Sequence, residues 1–397
     1  MSKIDDLVTQ LCPKGVMHKQ LIEVAGYSET RINAQELDET NFVGVDNLLS
    51  NASGKTNASY PPNTARLTAY EIGDVLLGNI RPYLKKVWFA DNEGGCSGDV
   101  LAIRVADEYK SLLLPKLLYY QLSSDKFFAY NMQHAKGAKM PRGSKTAIMR
   151  YKIPVPPLEI QQEIVKILDA FTELEAELEA ELEARQKQYS HYRDKLLTFD
   201  KDATWMTLGE ISKKVSSGGT PLSTKKEYYD GNIPWLRTQE VRFIDIHDTE
   251  VKITQRAIDE SSAKWIPKNC VIIAISGATA GRSAVNKIPM TTNQHCCNLE
   301  IDGDIASYKY VFHWVSNEYE KIKALGQGAR ADLNVGIIKS YPIPIPSLEE
   351  QEQIVSILDK FDALVNDISS GLPAEIAARR QQYEHYRDRL LTFQEAA

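Results

Sequence analysis

The sequence lacks the features that mark membrane-spanning, secreted and disulfide-linked proteins. No apolar run approaches the roughly 18 residues of a transmembrane helix, and no basic-then-apolar leader follows Met1. The 5 cysteines are odd in number and show no C-x-x-C spacing, which argues against a disulfide framework and a zinc site. We therefore expect a cytoplasmic protein with reduced thiols, no membrane contact and no metal, with Cys296 and Cys297 in a buried strand.

Motifs of DNA-modifying enzymes are also missing. A DNA adenine methyltransferase needs a glycine-rich cofactor turn and an Asn-Pro-Pro-aromatic site, whereas this chain has only Tyr60-Pro-Pro-Asn63, in reversed order. The glycines of Gly277-Ala-Thr-Ala-Gly281 are separated by three residues instead of four, and Arg282 replaces the lysine of a phosphate loop. Glu250-Val-Lys252 matches a nuclease E-x-K triplet, but such triplets are frequent in charged loops. We expect no catalytic residue in this chain.

The chain does contain a long internal repeat. HYRDKLLTF ends at Phe199 and returns as HYRDRLLTF ending at Phe393, while IPVPPLEIQQEIVKILDAF from Ile153 returns as IPIPSLEEQEQIVSILDKF from Ile343. In each copy a proline-spaced piece, predicted to be a linker or edge strand, precedes apolar residues at three- and four-residue steps. This pattern predicts a coiled-coil helix of about 40 residues, roughly 60 Å long.

The two copies differ in ways that affect the helix. LEAELEAELEA runs from Leu174 to Ala184, with glutamate at alternate positions from Glu173 to Glu183 and no basic residue. Leucines at four-residue steps drift around a helix and clustered glutamates repel each other, so we interpret this stretch as a spacer whose length matters more than its packing. In the second copy, Gly371 and Pro373 are expected to kink or break the helix.

Acidic charge is concentrated in the repeats. The net charge is −6, yet residues 1–150 and 201–340 each carry a net +2, while 151–200 and 341–397 each carry −5. The two basic segments contain short apolar runs punctuated by Gly, Pro and Asn, which predict mixed α/β, strand-rich domains. The predicted order is globular–helix–globular–helix with these boundaries, and two like helices can pack antiparallel and relate two similar domains by an approximate two-fold axis.

Two similar domains held at a fixed distance suit the two half-sites of a bipartite DNA target. From Lys126 to Lys152 the first domain has seven basic residues and no acidic one. Lys213–Lys226 combines a glycine-rich turn, hydroxyls and four lysines, and Gln327, Arg330 and Asn334 could hydrogen-bond to base edges. Either loop could instead be a solvated surface, and a coiled-coil scaffold without sequence-specific DNA binding is the alternative function.

The chain resembles, essentially end to end, the DNA-specificity subunit of a type I restriction–modification system. The tetrad repeat is similar to that of the IC-type branch, in which repeat number adjusts the distance between half-sites. The resemblance is carried by both helix ends and by SSGGTPLSTKKEYYDGNIPWLRTQEV (Ser216–Val241), ISGATAGRSAV (Ile275–Val285), TTNQHCCNLEI (Thr291–Ile301) and GQGARADLNVGIIKSYPIPIPSLEEQEQIVSILDKFDAL (Gly326–Leu364).

The resemblance implies a non-catalytic subunit in which each globular domain is a target recognition domain that reads one half of a gapped double-stranded DNA site. It implies that the helices set the gap and dock two methyltransferase subunits, and that two motor–nuclease restriction subunits complete the enzyme. S-adenosylmethionine, ATP and Mg²⁺ would then be bound by those partners and not by this chain. The first domain lacks the GGTP…IPW element of the second, so its DNA contacts are predicted from charge and loop composition alone.

These inferences select two sets of residues. The predicted DNA-binding residues are Lys136, Lys139, Arg142, Lys145, Ser217, Gly218, Gly219, Thr220, Lys225, Arg237, Arg282, Gln327, Arg330 and Asn334. The predicted spacer and partner-docking residues are Leu168, Phe171, Leu174, Leu178, Leu182, Tyr192, Leu358, Phe361, Leu364 and Tyr386.

Overall fold

A computed structural model describes residues 3–200, 202–327, 332–367 and 369–396. The helices are α1 (Lys3–Leu11), α2 (Leu21–Val24), α3 (Pro115–Leu122), α4 (Asp125–Gln133), α5 (Lys145–Arg150), α6 (Leu158–Leu196), α7 (Gln255–Glu260), α8 (Tyr308–Asn317), α9 (Tyr319–Ala324), α10 (Val335–Lys339), α11 (Leu348–Asn366) and α12 (Leu372–Leu390). The strands are β1 (His18–Gln20), β2 (Ala25–Tyr27), β3 (Arg31–Asn33), β4 (Phe42–Val43), β5 (Arg66–Tyr70), β6 (Val75–Gly78), β7 (Val87–Phe89), β8 (Gly94–Cys96), β9 (Val100–Val105), β10 (Lys152–Pro154), β11 (Trp205–Thr207), β12 (Ser212–Ser217), β13 (Tyr229–Leu236), β14 (Asp245–Ile246), β15 (Lys252–Ile253), β16 (Trp265–Ile266), β17 (Val271–Ala274), β18 (Ser283–Asn286), β19 (Met290–Thr292), β20 (Cys296–Ile301) and β21 (Pro342–Pro344).

The chain divides into two compact units. The first unit comprises Met1–Glu179 together with Glu375–Ala397, and the second comprises Ala180–Ala374. Each unit therefore contains one globular body and parts of both copies of the sequence repeat, because the division falls within α6 and within α12. The four-part division drawn from the sequence stays a prediction.

Two sheets form the globular body of the first unit, with strand orders β2-β9-β6-β7 and β3-β5-β8-β4. Strand β6 is buried along its whole length, and its side chains alternate between two apolar clusters. Val75 and Leu77 join the cluster that contains the helices, whereas Leu76 packs with Trp88 beneath the second sheet. A strand covered on both faces has a continuous apolar sequence, which explains the run VLLG.

The second unit repeats this arrangement, with strand orders β12-β20-β17-β18-β14 and β15-β13-β19-β16. Val271 and Ile273 of β17 face the helix-containing cluster, and Ile272 and Ala274 face the other sheet. In each unit the proline-spaced piece of the repeat is a strand, since β10 pairs with β1 and β21 pairs with β11. The predicted mixed α/β class with two similar globular domains is confirmed.

The cysteines of the second unit lie where the sequence predicted. Cys296 and Cys297 begin β20 and are buried. Burial raises the pKa of the Cys297 thiol to about 12, because a thiolate would be poorly solvated there. In the described part of the chain, no group of three or more His, Cys, Asp or Glu residues could hold a metal ion.

The first copy of the repeat forms one long helix. Helix α6 has 39 residues, so it spans roughly 60 Å at 1.5 Å per residue. This confirms the helix predicted from the apolar spacing. Among the described residues, no helix combines the length and the apolar character needed to cross a membrane.

The second copy is broken into α11 and α12, as Gly371 and Pro373 predicted. A Cβ on Gly371 would lie 2.5 Å from the carbonyl oxygen of Ala363, so the chain can return this closely only at a glycine. The Asp367 carboxylate accepts hydrogen bonds from the hydroxyls of Ser369 and Ser370, both at 2.6 Å, and these bonds lower its pKa to about 2. Asp367 therefore holds Ser369 and Ser370 by hydrogen bonds between the two helices.

Candidate nucleic-acid interface

Three loops meet at one edge of the first unit. They are residues 79–86 after β6, residues 97–99 between β8 and β9, and residues 136–142 before α5, and together they are called the first edge. The Asn79 N–H donates to the Asp99 carbonyl at 2.8 Å, which joins the first two loops. At such an edge, the polar side chains of the loops are exposed to solvent, and the packed sheet holds the loops in position.

The second unit has an equivalent edge. Residues 275–282 follow β17, residues 293–295 connect β19 and β20, and residues 327–332 precede α10, although only Gln327 and Asp332 of the last loop are described. The Ile275 N–H donates to the His295 carbonyl at 2.9 Å, as Asn79 does to Asp99 in the first unit. The described residues of these three segments are called the second edge.

Of the predicted basic residues of the first domain, Lys136, Lys139 and Arg142 lie on the first edge, and Lys145 begins α5. Lys136, Lys139, Arg142 and Lys145 are all exposed. Loop 136–142 is closed by two backbone hydrogen bonds between Lys136 and Arg142, of 2.9 and 2.8 Å. Arg142 forms an ion pair with Asp99 at 3.2 Å, whereas no described residue forms an ion pair with Lys136, Lys139 or Lys145. Free cations at Lys136 and Lys139 on one loop, followed along the chain by Lys145 at the start of α5, suit phosphate binding.

The GGTP element of the second domain is explained in part by packing. A Cβ on Gly218 would lie 2.0 Å from the Thr292 carbonyl oxygen, and one on Gly219 would lie 2.3 Å from that of Ser262. The Gly219 N–H donates to Thr292 at 2.9 Å. The two glycines therefore permit close backbone contact within the unit and leave the flanking residues, Ser217 and Thr220, exposed.

Two predicted cations of the second domain are held by neighbouring side chains. The Lys225 ammonium donates to the Tyr228 hydroxyl at 2.7 Å and lies 3.5 Å from a carboxylate oxygen of Glu260. The hydrogen bond to Tyr228, followed by the attraction of Tyr228 and Glu260, raises the pKa of Lys225. Arg237 forms ion pairs with Glu240 at 3.4 Å and with Glu250 at 2.6 Å. Both cations are therefore paired with acidic side chains of their own unit.

The remaining predictions for the second domain have different surroundings. Arg282 ends the first loop of the second edge, is half-buried, and has no charged partner among the described residues. Gln327 is exposed on the third loop. Asn334 caps α10, because its side-chain oxygen accepts a hydrogen bond from the Ile337 N–H at 2.9 Å. Arg330 lies outside the described residues.

The edges also carry side chains that the sequence reading missed. Arg81 is exposed in a left-handed conformation (φ 52°) and donates its N–H to Pro141 at 2.7 Å, and nearby Tyr83 is 50% exposed. On the second edge, Gln294 and His295 are exposed and 3.1 Å apart at their Nε2 atoms. Arg81 and Tyr83 follow the buried strand β6, and Gln294 and His295 precede the buried strand β20. A polar side chain next to a continuous apolar run was therefore the signal available in the sequence.

The comparison with known proteins decides the family. The family described as type I restriction modification DNA specificity domain matches the chain twice, at residues 13–184 and 201–378. The chain belongs to this family.

Relatives of this specificity-domain chain support the assignment. It is 41% identical over 257 residues to the specificity subunit of the Escherichia coli type I restriction enzyme EcoR124I/EcoR124II, a match that covers 61% of this chain and 63% of that subunit. It is 33% identical over 303 residues to the putative specificity subunit S.HindORF215P of Haemophilus influenzae, covering 72% of this chain and 74% of the relative. Its fold matches a chain from a solved structure concerned with complex assembly and conformational transition of the type I restriction–modification system, with TM-score 0.63, 21% identity, and 96% and 98% of the two chains covered.

The spacer residues predicted for this specificity-domain chain contact each other within each unit. In the first unit Leu168 is fully buried and the Phe171 ring stacks on Tyr386, with centroids 5.5 Å apart. In the second unit Leu358 is fully buried, and Phe361 stacks on Tyr192 with centroids also 5.5 Å apart. Helix α6 is therefore paired with α12 in one unit and with α11 in the other, which supports the coiled-coil prediction.

The tetrad stretch is packed less tightly than the helix ends. Leu174, Leu178 and Leu182 are only half-buried. Arg380 of α12 forms ion pairs with both Glu175 and Glu179, one tetrad apart. Leu364 and Tyr386 are 36% and 42% exposed, respectively. Part of the predicted stripe is therefore accessible to another protein.

The two edges differ in charge. Arg81 and Lys136 on the first edge have Gly277 and Gln327 as their equivalents on the second edge. Arg142 and Asp332 are also equivalent. Each is the last residue of its loop, and its backbone pairs with the first residue, Lys136 or Gln327 respectively. The first edge is thus cationic, whereas the described part of the second edge presents mainly neutral polar groups.

Proposed function

We propose that this chain is the DNA sequence-recognition subunit of a type I restriction–modification complex, in which the first and second edges each read one half of a bipartite, gapped site. The observation that carries the proposal is the equivalence of the two edges. One chain of a DNA-specificity family presents the same three-loop arrangement twice, and a single long helix, α6, enters both units. Two like surfaces on one chain suit two half-sites on one duplex.

The proposal assigns separate tasks to the edges and the helices. Cations and neutral polar groups of the edges contact phosphates and base edges, respectively. The paired helices set the gap and offer half-exposed apolar side chains to two methyltransferase subunits. The chain itself catalyses nothing and acts in the cytoplasm, while the methyltransferases bind S-adenosylmethionine and two restriction subunits bind ATP and Mg²⁺.

Genome-wide mapping of adenine methylation tests this function. The chain is expressed with its cognate methyltransferase subunit in a host that lacks both, with each subunit alone as a control. A bipartite motif with a fixed gap, present only when both are expressed, is the expected result. An active, assembled complex that methylates no defined motif would favour the alternative function of a coiled-coil scaffold.

A further inference from the structure

Two asparagine side chains at the base of the first edge are buried without hydrogen-bond partners. Asn79 is 7% exposed and Asn131 is 1% exposed. Within the described ranges, nothing pairs with Asn79 Oδ1 or with either polar atom of the Asn131 amide. Buried amides without partners cost free energy, so native proteins rarely retain them without a ligand, ordered water or functional reason.

These unpaired atoms converge above Gly143. A Cβ on Gly143 would lie 2.6 Å from Asn131 Oδ1, 2.7 Å from Asn79 Oδ1 and 3.2 Å from Asn131 Nδ2. Any side chain at this position would therefore displace both amides. Gly143 directly follows the basic loop 136–142, so the two amides lie next to the end of that loop.

The backbone identifies the equivalent positions in the second unit. The Gly143 N–H donates to the Asn79 carbonyl at 3.0 Å, and the Leu333 N–H donates to the Ile275 carbonyl at 2.8 Å. Asn131 and Ile322 each lie near the end of the helix that precedes the third loop. The backbone carbonyl of each accepts a hydrogen bond from the N–H of the residue three positions further along the chain, so the two positions are equivalent.

The second unit fills the same place with apolar side chains. Ile275, Ile322 and Leu333 are 8%, 0% and 4% exposed and belong to one apolar cluster. The fold is therefore compatible with an apolar layer here, and the asparagines of the first unit are not required by the architecture. The hydrogen-bonding capacity of their amides is therefore specific to the first unit.

We propose that Asn79 and Asn131 form a nucleobase-binding pocket that opens when DNA phosphates engage loop 136–142. The loop has free cations at Lys136 and Lys139 and a left-handed glycine at Gly137 (φ 101°), and a few backbone hydrogen bonds hold it closed. An asparagine amide matches the N6 and N7 atoms of adenine in the major groove. DNA binding would favour the open loop because only that form offers the amides a base. This inference rests on the proposed function.

The test gives the first unit the side chains of the second. The variant Asn79→Ile/Asn131→Ile is assembled with the methyltransferase subunit, and its methylated motif is mapped beside wild type. The matched control is Ile322→Val in α9, which keeps the second unit apolar at the position equivalent to Asn131 and should leave the motif unchanged. We expect the asparagine variant to lose about tenfold discrimination at one or two positions of one half-site, to keep the other half, and to unfold at no lower temperature.

An unchanged motif in the fully active variant would overturn the inference and leave the proposed function intact. If the variant complex methylates nothing, competition binding decides, using duplexes in which 7-deazaadenine removes N7 at single positions. Wild type should discriminate against one such duplex about tenfold, and the variant should not. Equal discrimination by both proteins would overturn the inference, whereas a wild-type complex without any motif would overturn the proposed function itself.

Discussion

Gln161 and Gln351 lie 190 positions apart and make the same three hydrogen bonds in their respective units. Gln161 is fully buried; its Oε1 accepts from the Leu114 N–H at 2.9 Å, and its Nε2 donates to the carbonyls of Leu112 and Pro156, both at 2.7 Å. Gln351 is also fully buried, and its partners are Ser307, Ile305 and Pro346 at 2.8, 3.2 and 2.9 Å. Each glutamine fixes the start of a repeat helix to its globular body.

Replacing either glutamine with leucine should destabilise its own unit. Gln161→Leu would leave one N–H and two carbonyls unpaired in a buried site, so the free energy of unfolding should fall by about 3 kcal/mol. Urea unfolding followed by circular dichroism measures the change. Gln162→Leu and Gln353→Leu are matched controls at exposed neighbouring positions and should have little effect. A loss no larger than theirs would contradict the assigned role.

Removing the free cations of the first edge should weaken DNA binding and make it less dependent on salt concentration. For Lys136→Ala/Lys139→Ala in the methyltransferase complex, the slope of log affinity against log salt should become shallower by about 2, because about 0.9 counterion is released per phosphate contact. Titration of labelled duplexes at several salt concentrations measures the slope. Lys110→Ala, beyond the far end of β9, is the control, and an unchanged slope in the double variant would exclude phosphate contact by these lysines.

Shortening α6 by one tetrad should shorten the gap in the methylated sites. Deleting Leu174–Glu177 removes about 6 Å of helix, against 3.4 Å per base pair, so the gap should change by about one or two base pairs. Glu179 remains available to Arg380, so the local ion pair should persist. Methylation mapping measures the gap, and Ala176→Gln, which keeps the helix length, is the control. The same gap after deletion would show that the tetrads do not set the spacing.

The hydrogen bonds that join α8 to Asp359 of α11 should weaken in acid. His313 lies 2.8 Å from the Asp359 carboxylate, which also bonds to Lys309. Burial disfavours the charged form of Asp359, but the bonds to His313 and Lys309 outweigh burial and lower its pKa. A lowered pKa stabilises the fold above the unfolded value of about 3.9, and this contribution is lost as the pH falls through the folded-state pKa.

Asp359→Asn should therefore unfold more easily than wild type near neutral pH, and the difference should disappear in strong acid. Denaturant unfolding at a series of pH values measures the difference. The control is Glu352→Gln on the same helix, which removes an exposed carboxylate. A constant difference between wild type and Asp359→Asn at every pH would mean that ionisation of Asp359 does not contribute.

The sequence predicted features that depend on local patterns. The runs VLLG and VIIA are β6 and β17, whose double burial requires continuous apolar residues. Gly371 and Pro373 predicted the break between α11 and α12, because glycine loses much conformational freedom in a helix and proline lacks the N–H that a helix interior requires. The tetrad stretch is predicted from the sequence to be a helix whose packing is not tight. The half-buried positions of its leucines agree with this prediction.

Features that depend on distant partners could not be predicted. Lys225 and Arg237 are predicted to bind DNA, but their ion pairs could not be predicted, because Glu260 and Glu250 lie beside them only in the folded chain. The glycines of GGTP are predicted to bind DNA, but their close contact with the backbone at Thr292 and Ser262 could not be predicted from the sequence. Arg81 could not be predicted, because it is a single basic residue at a strand end and belongs to no cluster of charge along the sequence.

The shared ion pairs of Arg380 have a consequence for the gene. Glutamates recur at each four-residue step of the tetrad stretch, and Arg380 already contacts two of them, Glu175 and Glu179. A tetrad is a whole number of codons, so a replication slip of one repeat keeps the reading frame and still leaves a glutamate for the arginine. Under the proposed function, one copying error of this kind creates a new DNA target while both recognition domains keep their sequences.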